Sequence, residues 1–219
     1  MHKFIAAAVQ MDTQNDKAQN LIQMAEYIDE AVSKGAQLIV FPEVVNILSE
    51  LPEHAETIPG PATELLSSKA KEHSVWIHGG SISEINPNGG RTYNTSVLVA
   101  PDGEIRAKYR KLHNFDMILP DGSSVRESDN KEPGSEIVTV QTELGTLGFA
   151  ICYDLRFPEQ FRLMRLAGAE IIFLPANFTM PTGKDHWEPL IRARAIENGV
   201  YIIAPNQTGE KEKSVDTIE

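Results

Sequence analysis

The sequence predicts an α/β protein with mixed sheets, on three observations. Short continuous apolar runs alternate with segments of helical apolar spacing, the pattern of sheets layered with helices. The chain opens strand–helix–strand, a unit that pairs its strands in parallel and covers both of their faces. Asp102-Gly103 then falls between two strand-like runs, a hairpin signal that adds antiparallel pairing.

Taken in order, residues 3–11 read as a buried strand. Asn15 or Asp16 caps a helix in which Ala18, Leu21, Ile22, Ala25, Ile28, Ala31 and Val32 recur at helical spacing, and Gly35 ends it. Gln37 to Phe41 is a short apolar strand bounded by Pro42. Residues 44–61 read as a loop, Pro61 starts a helix to about Ser74, and Val75 to Gly80 is a strand. Residues 82–90 read as a turn region, because Asn86-Pro87-Asn88-Gly89-Gly90 is dense in breakers. Thr92 to Ala100 and Glu104 to Tyr109 form the two arms of the hairpin. Residues 111–135 form a long polar connection, of the kind that carries function inside a compact domain. Strands follow at 136–141 and 145–151, then a helix over 157–167 ended by Gly168, a strand over 170–175, a helix over 184–198 and a strand over 201–204. The stretch from Gly209 to Glu219 is a polar tail.

The 219 residues are 41% hydrophobic, enough for one substantial core and one domain over 1–219. A formal net charge of −11 with no basic run argues against nucleic-acid binding. The single cysteine leaves no internal disulfide and fits a reducing compartment. The N-terminal apolar run is too short for a signal peptide, and no stretch is long enough to span a membrane. The expectation is a soluble, cytoplasmic protein. No compact His/Cys cluster argues for a metal.

Three stretches carry chemistry. In Ile151-Cys152-Tyr153-Asp154-Leu155-Arg156-Phe157-Pro158 the cysteine lies at a strand-to-helix corner. That corner offers a rigid support and free backbone N–H groups, the needs of a nucleophile with an oxyanion hole. A small buried hydrophobe is the plainer reading of a lone cysteine. In Phe41-Pro42-Glu43 an acid directly follows a buried strand, at the end of a sheet where ligands bind, and is a candidate general base. A solvated loop acid is its plainer reading. In Tyr109-Arg110-Lys111-Leu112-His113 a lysine ends a strand and is suited to stabilise an oxyanion, against a plain surface cluster of bases.

Together, in this order and at these separations, the three stretches resemble the nitrilase superfamily of carbon–nitrogen hydrolases. Arg91-Thr92-Tyr93-Asn94-Thr95-Ser96, Gly183-Lys184-Asp185-His186-Trp187 and Arg192-Ala193-Arg194-Ala195-Ile196-Glu197-Asn198 extend the likeness over nearly the whole chain. The resemblance implies a four-layer α-β-β-α sandwich, a homodimer or higher homo-oligomer, no cofactor, and a Glu43–Lys111–Cys152 triad. It also implies a second glutamate that positions the lysine, carried to Glu127 in Arg126-Glu127-Ser128-Asp129. A thioester route to a carboxylic acid and ammonia follows, with Lys111 and the Tyr153 N–H holding the oxyanion. Cys152-Tyr153-Asp154 resembles the Nit-type amidase branch, which acts on small ω-monoamides or deaminated glutathione, so a carboxylate-bearing amide is the expected small-molecule partner. Arg156, Lys184 and His186 are candidates to hold that carboxylate, and Asn177 is placed with them as a substrate-facing residue. Hydrolysis of N-carbamoyl amino acids or nitriles is the alternative within the superfamily. A catalytically silent binding or oligomerising protein is the alternative outside it. Family members usually continue for several strands beyond the Tyr201–Gly209 region. That departure leads to an expectation of self-association, since an uncovered sheet edge invites another chain.

Overall fold

Side chains alternate along the buried strands, and here the alternation sorts them into separate cores. Leu38 and Val40 enter one apolar cluster, and Ile39 between them enters another. Likewise Phe173 joins the first cluster while Ile172 joins a third. A strand buried on both faces in this way cannot be polar on either, which is why these segments read as continuous apolar runs.

The computed structural model describes residues 3–49, 51–118, 122 and 124–210. Its strands are β1 (Ala6–Ala8), β2 (Leu38–Val40), β3 (Trp76–His78), β4 (Ile82–Glu84), β5 (Tyr93–Val99), β6 (Ile105–Arg110), β7 (Asp116–Ile118), β8 (Ser124–Arg126), β9 (Thr139–Thr142), β10 (Gly145–Phe149), β11 (Ile171–Phe173) and β12 (Tyr201–Ile203). The helices are α1 (Lys17–Ser33), α2 (Pro61–His73), α3 (Pro158–Leu166) and α4 (Met180–Asn198). One sheet runs β1-β2-β3-β5-β4 with β6 beside β5, and a second runs β12-β11-β10-β9. Both are mixed: β1, β2 and β3 are parallel while β5 is antiparallel to β3, β4 and β6. Parallel β10, β11 and β12 likewise carry an antiparallel β9.

Three cores between four layers make the sandwich. Met24 and Ile28 of α1 and Leu66 of α2 pack on the outer face of the first sheet. Leu38, Val40, Leu98, Tyr109, Leu147, Phe149 and Phe173 fill the space between the sheets. Phe161 and Met164 of α3, with Leu190 and Ile191 of α4, cover the second sheet.

Local chemistry sets the element ends. Asp16 caps α1 by accepting from the Gln19 N–H at 3.0 Å. Ser74 closes α2 in the left-handed region, φ 56°. Pro158 occupies the first turn of α3, where its missing N–H costs nothing, and Glu159 lies beside it at the positive end.

The turn expected over residues 82–90 begins instead as β4, paired with β5. A glutamate ending a short run reads as exposed, yet Glu84 is buried. Its carboxylate accepts from Lys108 Nζ (2.9 Å), Arg110 Nε and Nη2 (2.8 Å each) and Thr95 Oγ1 (2.7 Å). The long connection after Lys111 holds the small hairpin β7–β8 and a 3₁₀ turn, Glu127–Asp129. Helix α4 starts at Met180, four residues before the expected position. From residue 211 on, the polar tail lies outside the described residues.

Candidate active site

Glu43 follows β2 on a loop fixed from beneath. The Gly80 φ of 63° belongs to the left-handed region, and a Cβ there would lie 1.9 Å from the Pro42 carbonyl oxygen, so only glycine fits. Ser81 N–H donates to that oxygen at 3.2 Å, and Ser81 Oγ accepts from Val44 N–H at 3.1 Å. Gln207 Nε2 donates to the Glu43 carbonyl at 2.8 Å. Glu43 is 4% exposed, and its carboxylate accepts three bonds: from Lys111 Nζ (3.1 Å), Asn94 Nδ2 (2.9 Å) and the Asn177 backbone N–H (2.8 Å).

Lys111 stands one residue beyond β6, its ammonium buried between two acids. Besides Glu43, its Nζ meets Glu127 Oε2 at 2.8 Å. Burial works to strip the proton from Lys111, but the charges of Glu127 and Glu43 outweigh it and hold the amine well above its ordinary value. Burial likewise raises Glu127, and the Lys111 charge overrides it, leaving that carboxyl below its ordinary value. Glu127 also accepts from Phe115 N–H (2.7 Å) and Asn94 Nδ2 (3.2 Å).

Cys152 opens a 3₁₀ turn, Cys152–Arg156, after β10. Its φ is 47°, left-handed and uncommon for a residue with a side chain. Its N–H donates to Pro175 O at 2.9 Å, which ties the corner to the end of β11. Burial first, and the neighbouring Glu43 charge second, push the thiol well above its ordinary value, with Lys111 pulling the other way. The resting sulfur therefore carries its proton, with a carboxylate beside it to take that proton. As the first residue past Cys152, Tyr153 directs its N–H to no acceptor among the described residues, a donor left over by the short turn.

A cavity of about 390 Å³ opens over these groups, lined among others by Glu43, Lys111, Glu127, Cys152, Asn177 and Arg156. Of the residues singled out in the sequence, Tyr153 also lines it. Arg156 lies 5.5 Å and 5.6 Å from the ring centroids of Tyr153 and Phe178, and no described carboxylate pairs with it. His186 does not line the cavity but contacts Arg156, Nδ1 to Nη2 at 3.3 Å. Lys184 was expected at the substrate and lies elsewhere: it is exposed, off the cavity. At 3.6 residues per turn it is on the far side of α4 from the cavity-lining Thr182, whereas His186 comes back to the near side.

Asn94 was not singled out as a site residue, yet it bridges Glu43 and Glu127. The signal was the polar run Asn94-Thr95-Ser96 that opens a strand ending in Val97-Leu98-Val99: polar side chains buried in such a strand must have polar partners. Among the described residues no group of three or more His, Cys, Asp or Glu could hold a metal ion. No helix among them is long and apolar enough to cross a membrane.

A family profile described as carbon-nitrogen hydrolase matches residues 5–218. The deaminated glutathione amidase of Synechocystis sp. (strain PCC 6803 / GT-S) is 41% identical over 215 residues, covering 95% of this chain and 79% of that protein. Omega-amidase NIT2 of Homo sapiens is 38% identical over 205 residues, covering 92% of this chain and 74% of that protein. Among solved structures, Saccharomyces cerevisiae Nit3, a member of branch 10 of the nitrilase superfamily, superposes with a TM-score of 0.85 at 31% identity, covering 97% of this chain and 78% of that one. The C. elegans NitFhit protein gives 0.88 at 33%, covering 98% of this chain and 53% of that one.

Proposed function

The chain belongs to the carbon-nitrogen hydrolase family, and from that premise we propose that it hydrolyses the terminal amide of small carboxylate-bearing substrates through a thioester on Cys152. The observation that supports this reading is the convergence of one sulfur, one ammonium and two carboxylates in a single cavity. Glu43 takes the Cys152 proton as the sulfur attacks the amide carbon. The carbonyl π electrons move onto oxygen, where Lys111 Nζ and the Tyr153 N–H meet them. The tetrahedral species collapses as Glu43 passes the proton to nitrogen, and ammonia leaves. A water, deprotonated by the same Glu43, attacks the thioester. The acid departs and the sulfur regains a proton. Glu127 keeps Lys111 charged and aimed, and takes no proton itself.

Arg156 supplies the substrate preference. A guanidinium with no carboxylate partner among the described residues, held against two aromatic rings at the cavity wall, matches the free acid of an ω-monoamide. The names of the relatives, amidases of deaminated glutathione and of ω-amides, fit the same substrate chemistry.

Ammonia release from a panel of small ω-amides tests the reading, with Cys152→Ala as the control. Ammonia is expected from wild type and none above background from the variant. Turnover by Cys152→Ala near the wild-type rate would remove the sulfur from the mechanism.

Self-association belongs to the same proposal. Leu163 and Leu166 of α3, Ile196 of α4 and Tyr201 of β12 are exposed, and a second copy of the chain is their proposed cover. Light scattering at micromolar concentration should give at least the dimer mass; a clean monomer would contradict it.

A further inference from the structure

The chemistry above leaves several buried acids without a task, and one of them stands beside the sulfur. Asp154 is fully buried and lies two residues beyond the sulfur. Its carboxylate accepts four hydrogen bonds. Oδ2 takes Tyr109 Oη–H at 2.6 Å and the Ile151 N–H at 2.8 Å. Oδ1 takes the His113 N–H at 3.1 Å and His113 Nδ1 at 2.7 Å. A carboxylate only accepts, so the His113 proton sits on Nδ1. Ile151 is the residue before Cys152, while Tyr109 and His113 flank Lys111. The Tyr109 hydroxyl is used fully as well: it accepts from Gln160 Nε2 at 2.9 Å and from the Leu112 N–H at 3.2 Å. The His113 ring stacks on Phe157, centroids 3.5 Å apart, at the end of the cysteine turn.

We propose that Asp154 is a positioning residue that clamps the segment carrying Lys111 onto the turn carrying Cys152, and so sets the distance between oxyanion donor and nucleophile. It touches no reacting atom. The proposal rests on the reading of Cys152 as nucleophile and Lys111 as oxyanion donor. Glu43 and Glu127, bridged by Asn94, fix the ammonium end of Lys111, but none of the three hydrogen-bonds the backbone of the cysteine turn. Asp154 does so from both sides, holding Ile151 through its side chain and through its own N–H, which donates to Ile151 O at 3.0 Å. The left-handed Cys152 is thereby enclosed in a closed turn.

Asparagine cannot replace this acid. Its NH₂ must occupy one oxygen position. At Oδ2 it faces the Ile151 N–H, and at Oδ1 the His113 N–H, both fixed backbone donors. Either choice releases one of the two segments.

The test compares wild type, Asp154→Asn, Tyr109→Phe and the double variant. Each is assayed for ammonia release and for the rate at which iodoacetamide alkylates Cys152. Tyr109→Phe removes one hydroxyl and keeps the ring. It is expected to lower kcat roughly tenfold with KM within about twofold, and Asp154→Asn roughly a hundredfold, since small displacements at a reacting centre cost rates of this order. Alkylation should slow in step. The double variant should lose less than the product of the two single losses, because both act through one clamp. A merely structural role would lower the melting temperature and leave kcat and alkylation of the folded protein unchanged, which would overturn the proposal. Multiplicative losses would overturn it too. If Asp154→Asn does not fold, Tyr109→Phe decides alone. A wild type that neither releases ammonia nor alkylates at Cys152 would sink the hydrolase reading itself; an active wild type with an unchanged Tyr109→Phe would sink only the clamp.

Discussion

Replacing Lys111 with methionine, a chain of similar length without the charge, tests the electrostatics of the site apart from its chemistry. In the wild type the buried ammonium faces Glu43 at 3.1 Å and Glu127 at 2.8 Å. Removing one partner of a buried ion pair typically costs about 3–5 kcal/mol, because the other charge stays buried without compensation. Here two acids are left facing each other, so the upper part of that range is expected at pH 8. The pH dependence is the sharper signature. The raised Lys111 pKa contributes stability that is fully present below its unfolded value and is lost only at higher pH. The lowered Glu127 pKa contributes stability that is present above its unfolded value and is lost as pH falls through its folded one. Both contributions are therefore constant for the wild type between roughly pH 5 and 8. In the variant the lysine no longer opposes burial, so Glu127 is pushed up instead. Its folded state then binds the extra proton, and the variant gains stability as pH falls from 8 to 5. Urea unfolding at four pH values should show the gap between the two proteins narrowing on acidification. Curves that run parallel, or a variant as stable as wild type at pH 8, would refute this account of the buried charges. Ammonia release should drop on the order of 10²–10³-fold from the lost oxyanion donor, and acidification should not restore it.

Other perturbations have equally definite signs. Cys152 is left-handed, so Cys152→Gly should be more stable than Cys152→Ala by about 1 kcal/mol in urea unfolding, the reverse of the usual order of the two residues, with both inactive. Arg156→Gln should raise KM for an ω-monoamide acid roughly 10–100-fold and leave a neutral amide within about twofold; equal effects on both would discard the carboxylate role. Glu84 holds a pKa lowered to about 2: burial would raise it, and the bonds from Arg110, Lys108 and Thr95 prevail. Its stabilisation is lost as pH falls from the unfolded carboxyl value toward 2. Glu84→Gln should therefore be less stable than wild type at neutral pH and close that gap in acid, read from thermal melts between pH 7 and 2.5.

The acid and the sulfur were legible because each closely follows a strand that announces itself by its apolar run, the amine because it ends the second arm of a hairpin, and all three because the motifs around them are dense. The alternation that sorts Leu38, Ile39 and Val40 into two cores was equally legible as a strand covered on both sides. What stayed hidden depends on where the chain folds back on itself. Glu84 looks exposed until Lys108 and Arg110, more than twenty residues on, cover it. Lys184 was placed by its motif, but its direction depends on where α4 begins, and helix starts are read only to within a few residues. Asp154 sat in view inside the cysteine motif. Three of its four bonds come from the distant segment 109–113 and one from Ile151 beside it, and one-dimensional spacing does not express valence.

Glu43 and Lys111 hang from the first sheet and Cys152 from the second, so the site exists only where the two sheets meet. Turnover thus doubles as a gauge of that contact. A polypeptide nicked between β8 and β9 would carry base and amine in one piece and sulfur in the other. Neither piece alone could form an acyl-enzyme, and recovery of ammonia release on mixing would report how faithfully the pieces re-dock.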